Sequence, residues 1–262
     1  KYNGMRDNTT INGQFTRNGE SILSAPHIFE SLSAGGVFAN HPEVVLDGEL
    51  YNHELRYSLN ELISLVRKTK NITTEDLSKS ERIVKYYVYD GYNFTTKGGL
   101  QVTVDTPCAT RREALAELLS GIPYVEVVDF EWAETEEDVW KIYEEYVGDG
   151  YEGAMVRVNG SYENKRSSNL LKVKPVDSDE GIVLDINEGS GNWSGIAKTI
   201  DLDWKGKKFK ASFKGTQEKG RELLKNKDQW IGKEVTFTYN GLTGLGIPNY
   251  AQLDIDNCLR GD

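Results

Sequence analysis

Residues 1–175 alternate short stretches of strand-like and helix-like patterning. Apolar, aromatic and β-branched residues gather at 43–46, 82–89, 124–128, 153–158 and 170–173, and these runs predict strands. Thr110-Arg111-Arg112-Glu113 reads as a capping box ahead of Leu115, Leu118 and Leu119, with Gly121 and Pro123 stopping the helix it opens. A second helix places Val139, Ile142, Tyr143, Tyr146 and Val147 on one face and ends at Gly148. A third is expected over residues 59–66.

After Pro175 the texture changes. Short strand signals follow one another at 181–186, 198–202, 207–213, 234–239 and 252–255, interrupted by one helical stretch over 217–226. Five short strands and a helix predict a small closed barrel of the OB type, a common nucleic-acid-binding module. Asp177-Ser178-Asp179 reads as a polar hinge, so domains are expected over 1–176 and 177–262.

Composition narrows the class. An apolar content of 38% with 27% charged residues describes a globular protein. No apolar run of membrane-spanning length and no secretory leader is seen, so no membrane association and a cytoplasmic location are expected. Cys108 and Cys258 cannot build a disulfide framework, and His27, His41 and His53 lack the spacing of a zinc site. The chain opens on lysine, from which residues upstream of Lys1 are expected. A formal charge of −10 argues against a nucleic-acid partner, yet residues 204–233 hold ten basic residues against three acidic ones, a local +7. A basic face of this kind binds phosphates whatever the net charge, although a solvated lysine-rich face has the same composition.

The candidate chemistry lies in four segments: Lys1-Tyr2-Asn3-Gly4-Met5-Arg6, Leu46-Asp47-Gly48-Glu49-Leu50, Glu152-Gly153-Ala154-Met155-Val156-Arg157 and Leu171-Lys172-Val173-Lys174-Pro175. A free lysine amine has a pKa near ~10.4 and is protonated at neutral pH, so it attacks a phosphate only when its surroundings expose the lone pair. Arg6, Lys172 and Lys174 are expected to supply a cationic field, and Gly4 to let the backbone approach a ligand. Glu49 is expected at the end of a strand, suited to a ribose hydroxyl or a metal-bound water, and Glu152 is the better metal candidate. Strand alternation sets Lys172 and Lys174 on one face as buried-edge lysines awaiting a phosphate. Tyr89 closes a hydrophobic run and offers a ring to a base. No Gly-x-x-x-x-Gly-Lys-Ser/Thr loop is present, so any ATP is held in another way. Singly, each segment reads as a turn or a core strand; in this order they describe a pocket that takes a nucleotide covalently onto a lysine.

Together these residues resemble the covalent nucleotidyltransferase superfamily, and most closely the small ATP-dependent DNA ligases of viruses and bacteriophages, over essentially the whole chain. Lys1 to Arg6 resembles the nucleophile motif Lys-x-Asp-Gly-x-Arg. Thr16-Arg17 resembles the motif whose arginine contacts the nucleotide sugar and later the nick phosphate. Leu46 to Leu50 is similar to the ribose-contacting glutamate motif, and Tyr89-Asp90 falls where an aromatic ring stacks on adenine. Glu152 to Arg157 is similar to the metal-linked glutamate motif, Leu171 to Pro175 to the paired-lysine motif, and Arg166 lies where relatives set a basic residue on phosphate.

The resemblance implies an α+β fold, with an adenylation domain of antiparallel sheets and flanking helices followed by an OB-fold barrel. It implies ATP, a lysyl-AMP intermediate, Mg2+ or Mn2+, and nicked duplex DNA as the partner of a monomer, in the host cytoplasm if phage-encoded. Lys1, Arg6, Lys172 and Lys174 would be catalytic. Arg17, Glu49, Tyr89 and Arg166 would join the two later lysines around the nucleotide, and Glu152 and Glu49 would serve the metal. Asn3 stands where most relatives have aspartate, residues 246–254 lack the usual arginines, and 187–195 is too short for a DNA-clamping insertion. An RNA ligase or RNA-capping guanylyltransferase shares the lysine chemistry, and a catalytically inactive nucleic-acid-binding scaffold is the reading of another class.

Overall fold

The computed structural model describes residues 1–56, 59–165, 167–255 and 258. The chain divides between Val173 and Lys174 into two compact units, each with its own apolar core. The first unit opens with strands β1 (Met5–Thr10) and β2 (Gly13–Phe15), then helices α1 (Pro26–Ala34) and α2 (Val37–Asn40). Strand β3 (Val45–Tyr51), helices α3 (Leu59–Val66) and α4 (Thr74–Ile83) and strand β4 (Lys85–Tyr92) follow. A small hairpin of β5 (Phe94–Thr95) and β6 (Gln101–Val102) leads to α5 (Cys108–Leu118), β7 (Val125–Val127) and α6 (Glu136–Gly148). The unit closes with the paired strands β8 (Ala154–Arg157) and β9 (Leu170–Val173).

Its main sheet has the order β2-β1-β3-β4-β7, antiparallel except where β7 joins β4. Leu46 and Leu50 of β3 and Tyr86 and Val88 of β4 share a core with Ile28 and Leu32 of α1, Leu62 of α3 and Leu115 of α5. Alternation along β3 therefore turns Asp47 and Glu49 to the opposite face. The expected strand 43–46 extends to Tyr51, so Glu49 lies within the strand and not at its end. Residues 82 and 83 close α4 instead of opening β4. That helix went unread because it is mostly polar, although Thr73 and Asp76 form a reciprocal capping box.

The expected capping box at Thr110 is not one. Helix α5 begins at Cys108 after Pro107 and has no side-chain cap. Thr110 to Glu113 sit inside it, where Arg111 turns inward and is 1% exposed. The helix over Glu136–Gly148 ends where its glycine predicted, and it starts from a capping box of Thr135 with Asp138.

The second unit is a closed five-stranded barrel. Strands β10 (Asp177–Glu188), β11 (Ala197–Trp204) and β12 (Lys207–Lys214) precede α7 (Gln217–Lys225), and β13 (Glu234–Tyr239) and β14 (Gln252–Asp254) complete it. The order is β10-β11-β12-β14-β13, with β12 and β14 parallel and β13 closing onto β10. This is the expected OB-type arrangement, with its helix between the third and fourth strands. Asp177 to Asp179 pair with Tyr239 to Phe237. They are strand, not hinge, and their polarity reflects an exposed strand end.

Along β12 the outward positions are Lys208, Lys210, Ser212 and Lys214, while Phe209, Ala211 and Phe213 turn inward. Part of the basic segment is neutralised within the barrel: Lys205 pairs with Asp179 at 2.8 Å, Lys210 with Asp201 at 2.6 Å and Lys227 with Asp185 at 3.3 Å. Among the described residues no helix is long and apolar enough to cross a membrane.

One buried carboxyl makes the first unit sensitive to pH. Asp7 is fully buried; burial pushes its carboxyl up to about 7, against the hydrogen bonds from Gln14 and Thr9, and the nearby Asp47 charge adds to the rise. In the unfolded chain the same group titrates near ~3.9. The folded state thus binds this proton more tightly, and the stability it contributes is full below the unfolded value and lost as pH rises through about 7. Thermal unfolding of the protein and of Asp7→Asn between pH 5 and 8 is expected to show a smaller loss of Tm in the variant. Equal losses would contradict this assignment.

Candidate active site

Lys1 precedes β1, and main-chain bonds tie it to the approach to β8. The Glu152 N–H donates to the Lys1 carbonyl at 3.1 Å, and the Lys1 main-chain nitrogen donates to the Gly153 carbonyl. Gly153 has φ of 141°, a conformation that L side chains rarely adopt. Lys1 Nζ donates to Glu152 Oε2 and, at 3.0 Å, to the Tyr2 carbonyl. The two ion-paired side chains are only 17% and 21% exposed.

Glu49 comes to the same chain segment from β3, where its Oε1 accepts from the Gly4 N–H at 2.7 Å. Burial raises the Glu49 carboxyl above the usual range, while the Gly4 N–H and the Lys1 ammonium pull it down. A Cβ on Gly4 would lie 2.2 Å from the Leu50 carbonyl and 2.9 Å from Glu49 Cγ. The close approach that this glycine permits is to β3. The side chain that meets Lys1 Nζ is a carboxylate, that of Glu152.

Arg6 is Cα-paired with Glu49 across the sheet. Its guanidinium forks onto Asp47, with Nε and one terminal nitrogen each 2.8 Å from a carboxylate oxygen. Tyr162 adds its hydroxyl to the same Asp47 at 2.9 Å. On the other side of β3, Asp47 is Cα-paired with Asp90 of β4, and the register then slips to Gly48 opposite Val88. Tyr89 is the extra residue of this β-bulge, a device that re-aims a side chain. Gly48 makes the slip possible, since a Cβ there would lie 2.5 Å from the Tyr87 carbonyl.

Asp90 is fully buried and receives Arg111 through Nε at 2.7 Å and a terminal nitrogen at 2.8 Å, and Arg157 of β8 at 2.7 Å. The Arg157 guanidinium also lies 5.2 Å from the Tyr89 ring centroid. Sequence reasoning passed over Asp47, Asp90, Arg111 and Tyr162. The available signal was an aspartate inside each of two apolar strand runs, because a charge buried in a core requires a partner.

Arg17 is exposed in the turn after β2. Lys172 is Cα-paired with Met155 on β9 and is exposed, and neighbouring Leu171 is 56% exposed, so the buried-edge reading of this strand does not hold. Lys174 is the first residue of the second unit, where its Nζ lies 5.9 Å from the Tyr250 ring centroid. Arg166 lies outside the described residues.

Lys1 thus stands just before an interior strand of the main sheet, ion-paired with Glu152, in a chain whose second unit is an OB-type barrel. The family model for the ATP dependent DNA ligase domain matches residues 1–174. The chain belongs to the ATP-dependent DNA ligase family. It is 25% identical over 257 residues to a DNA ligase of Haemophilus influenzae, covering 96% of this chain and 82% of that protein. It is 27% identical over 202 residues to an African swine fever virus DNA ligase, covering 72% of this chain but 44% of the viral protein. Among solved structures, a Lig E DNA ligase shares the fold with a TM-score of 0.75 at 24% identity, over 97% of this chain and 89% of that one. The ligase of bacteriophage T7 in complex with ATP superposes with a TM-score of 0.53 at 16% identity, over 97% and 89% of the two chains.

The Asp90 cluster yields a stability prediction. Asp90→Ala leaves Arg111 buried without its carboxylate, which costs about 3–5 kcal/mol by the usual cost of breaking a buried ion pair. Urea unfolding monitored by tryptophan fluorescence measures this, and an unchanged midpoint would remove the cluster from the account.

Proposed function

We propose that the protein seals nicks in duplex DNA through an AMP carried on Lys1, with the first unit as its adenylation domain and the OB barrel, beginning between Val173 and Asp177, as its second domain. The observation that carries this reading is the set of contacts around Lys1: its Nζ on Glu152, with Glu49 fixed by Gly4 three residues along the same chain. In the first step Lys1 Nζ attacks the α-phosphorus of ATP, a P–N bond forms, and the P–O bond to pyrophosphate breaks. The ammonium must first lose a proton, and Glu152 is the group hydrogen-bonded to it. In the second step a 5′-phosphate oxygen displaces Lys1 from the adenylyl phosphorus. In the third the 3′-hydroxyl attacks the 5′-phosphorus, the phosphodiester forms and AMP leaves.

Around this chemistry Glu49 takes a ribose hydroxyl and Tyr89, aimed by its bulge, takes adenine. Arg17, Arg166, Lys172 and Lys174 meet phosphates. Arg6, forked onto Asp47, holds β1 in register under the nucleophile. A divalent cation, Mg2+ or Mn2+, fits the oxygen donors of Glu152 and Glu49, since Mg2+ binds through one or two carboxylates completed by substrate phosphates. When bound it neutralises charge on the reacting phosphates.

Incubation with labelled ATP and Mg2+, followed by nicked DNA, is expected to give a protein–AMP adduct and then a sealed strand, both lost in Lys1→Ala. Sealing by Lys1→Ala, or labelling by GTP in preference to ATP, would sink the reading, and sealing confined to RNA nicks would turn it to the RNA ligase alternative. The lysines of the barrel predict a second result. Nick affinity falls steeply with salt, by a slope of about −0.9 per phosphate contacted. A flat dependence would rule out a phosphate-binding role for residues 204–233.

A further inference from the structure

Tyr2, the residue that follows the nucleophile, is enclosed by rings. It stacks on Tyr87 with centroids 4.7 Å apart and planes 27° apart, and meets Tyr51 and Tyr151 edge-on at 5.1 and 5.5 Å. Tyr51 and Tyr87 belong to β3 and β4 of the main sheet. Tyr151 belongs to the segment between α6 and β8 and stands next to Glu152. Tyr151 in turn stacks on His53 at 4.3 Å. His53 is fixed at both nitrogens: Nε2 lies 3.0 Å from the Asp149 carbonyl and Nδ1 lies 3.1 Å from the Tyr51 hydroxyl. A carbonyl only accepts, so Nε2 carries a proton, and in the neutral ring Nδ1 accepts from Tyr51.

This cluster joins the two pieces of chain whose relative placement sets the Lys1–Glu152 contact. Residues 149–153 form no strand or helix and contain two glycines with positive φ, Gly150 and Gly153, so no ladder dictates where Glu152 points. Lys1 likewise precedes the first regular pair of β1 with β3, which is Met5 with Leu50. Two main-chain bonds, from the Glu152 N–H to the Lys1 carbonyl and from the Lys1 nitrogen to the Gly153 carbonyl, join these segments outside any ladder, and the rings pack beside them to hold that pairing. None of them is needed to touch ATP or DNA for this.

We propose that Tyr2, Tyr151 and His53 are positioning residues for the lysine nucleophile: they hold Lys1 and Glu152 in the geometry of attack, and so act on adenylylation of Lys1 and not on sealing of a nick that already carries AMP. The inference rests on the reading of Lys1 as nucleophile. Removing the clamp displaces the attacking nitrogen, and a displacement of about 1 Å costs on the order of 10²-fold in rate.

The test separates the steps. Single-turnover formation of the Lys1–AMP adduct is measured at a series of ATP concentrations, and sealing is measured on a synthetic nick made with a 5′-adenylate, which needs no attack by Lys1. Tyr2→Leu and His53→Ala are expected to slow adduct formation roughly 10- to 100-fold, with KM for ATP unchanged and sealing of the adenylylated nick at the wild-type rate. Tyr2→Phe, which keeps the ring, is expected to behave as wild type. Half-exposed His53 is the variant that decides the matter if Tyr2→Leu does not fold. Equal loss of both activities, a raised KM with an unchanged rate, or wild-type adduct formation in both variants would overturn the inference alone. Failure of the wild-type protein to form the adduct would overturn the nucleophile reading, and this inference with it.

Discussion

Two buried aspartates face each other across adjacent strands, and the first unit is organised around their neutralisation. Asp47 and Asp90 are Cα-paired and are 1% and 0% exposed. Like charges at opposite positions of a sheet repel, and each carboxylate has also lost its water. Three arginines answer them, Arg6 from β1, Arg111 from α5 and Arg157 from β8, with Tyr162 adding a hydroxyl. Strand, helix and the separate β8–β9 ribbon are thereby fixed to one point. Arg6 lies five residues from Lys1, Glu49 two residues from Asp47, and Tyr89 beside Asp90, so the frame sets where the side chains of the proposed site stand.

The bulge at Tyr89 follows from the same place. Asp47 and Asp90 keep their register, the ladder slips immediately afterwards, and Gly48 admits the close approach of β4 that results. An otherwise regular strand thus presents an aromatic ring off its normal alternation, beside Arg157. Conformation here is dictated by charge placement and by the absence of one Cβ.

The order of chemical segments, the five barrel strands and the helices over 59–66 and 136–148 were legible in the sequence because each rests on local signals: alternation, a helical face, a terminal glycine. What was not legible depends on tertiary partners. Arg111 looks like the second residue of a capping box until Asp90 is seen to bury it. Thr73 and Asp76 cap a real helix whose face is too polar to register as periodic. Leu171-Lys172-Val173-Lys174 alternates as a half-buried strand should, yet its residues at 171 and 172 are exposed. Asp177-Ser178-Asp179 resembles a linker by composition and is strand by pairing with β13. The ring cluster around Tyr2 gave no sequence signal, since its members come from four separate stretches of chain.

In the proposed chemistry Lys1, and no other lysine, accepts the nucleotide. Proteolytic peptide mapping by mass spectrometry, after reaction with ATP and Mg2+ and quenching under conditions that preserve a phosphoramidate, tests it most directly. The expected result is a single AMP on the peptide containing Lys1. Modification of Lys172 or Lys174 instead, or no modified peptide, would contradict it.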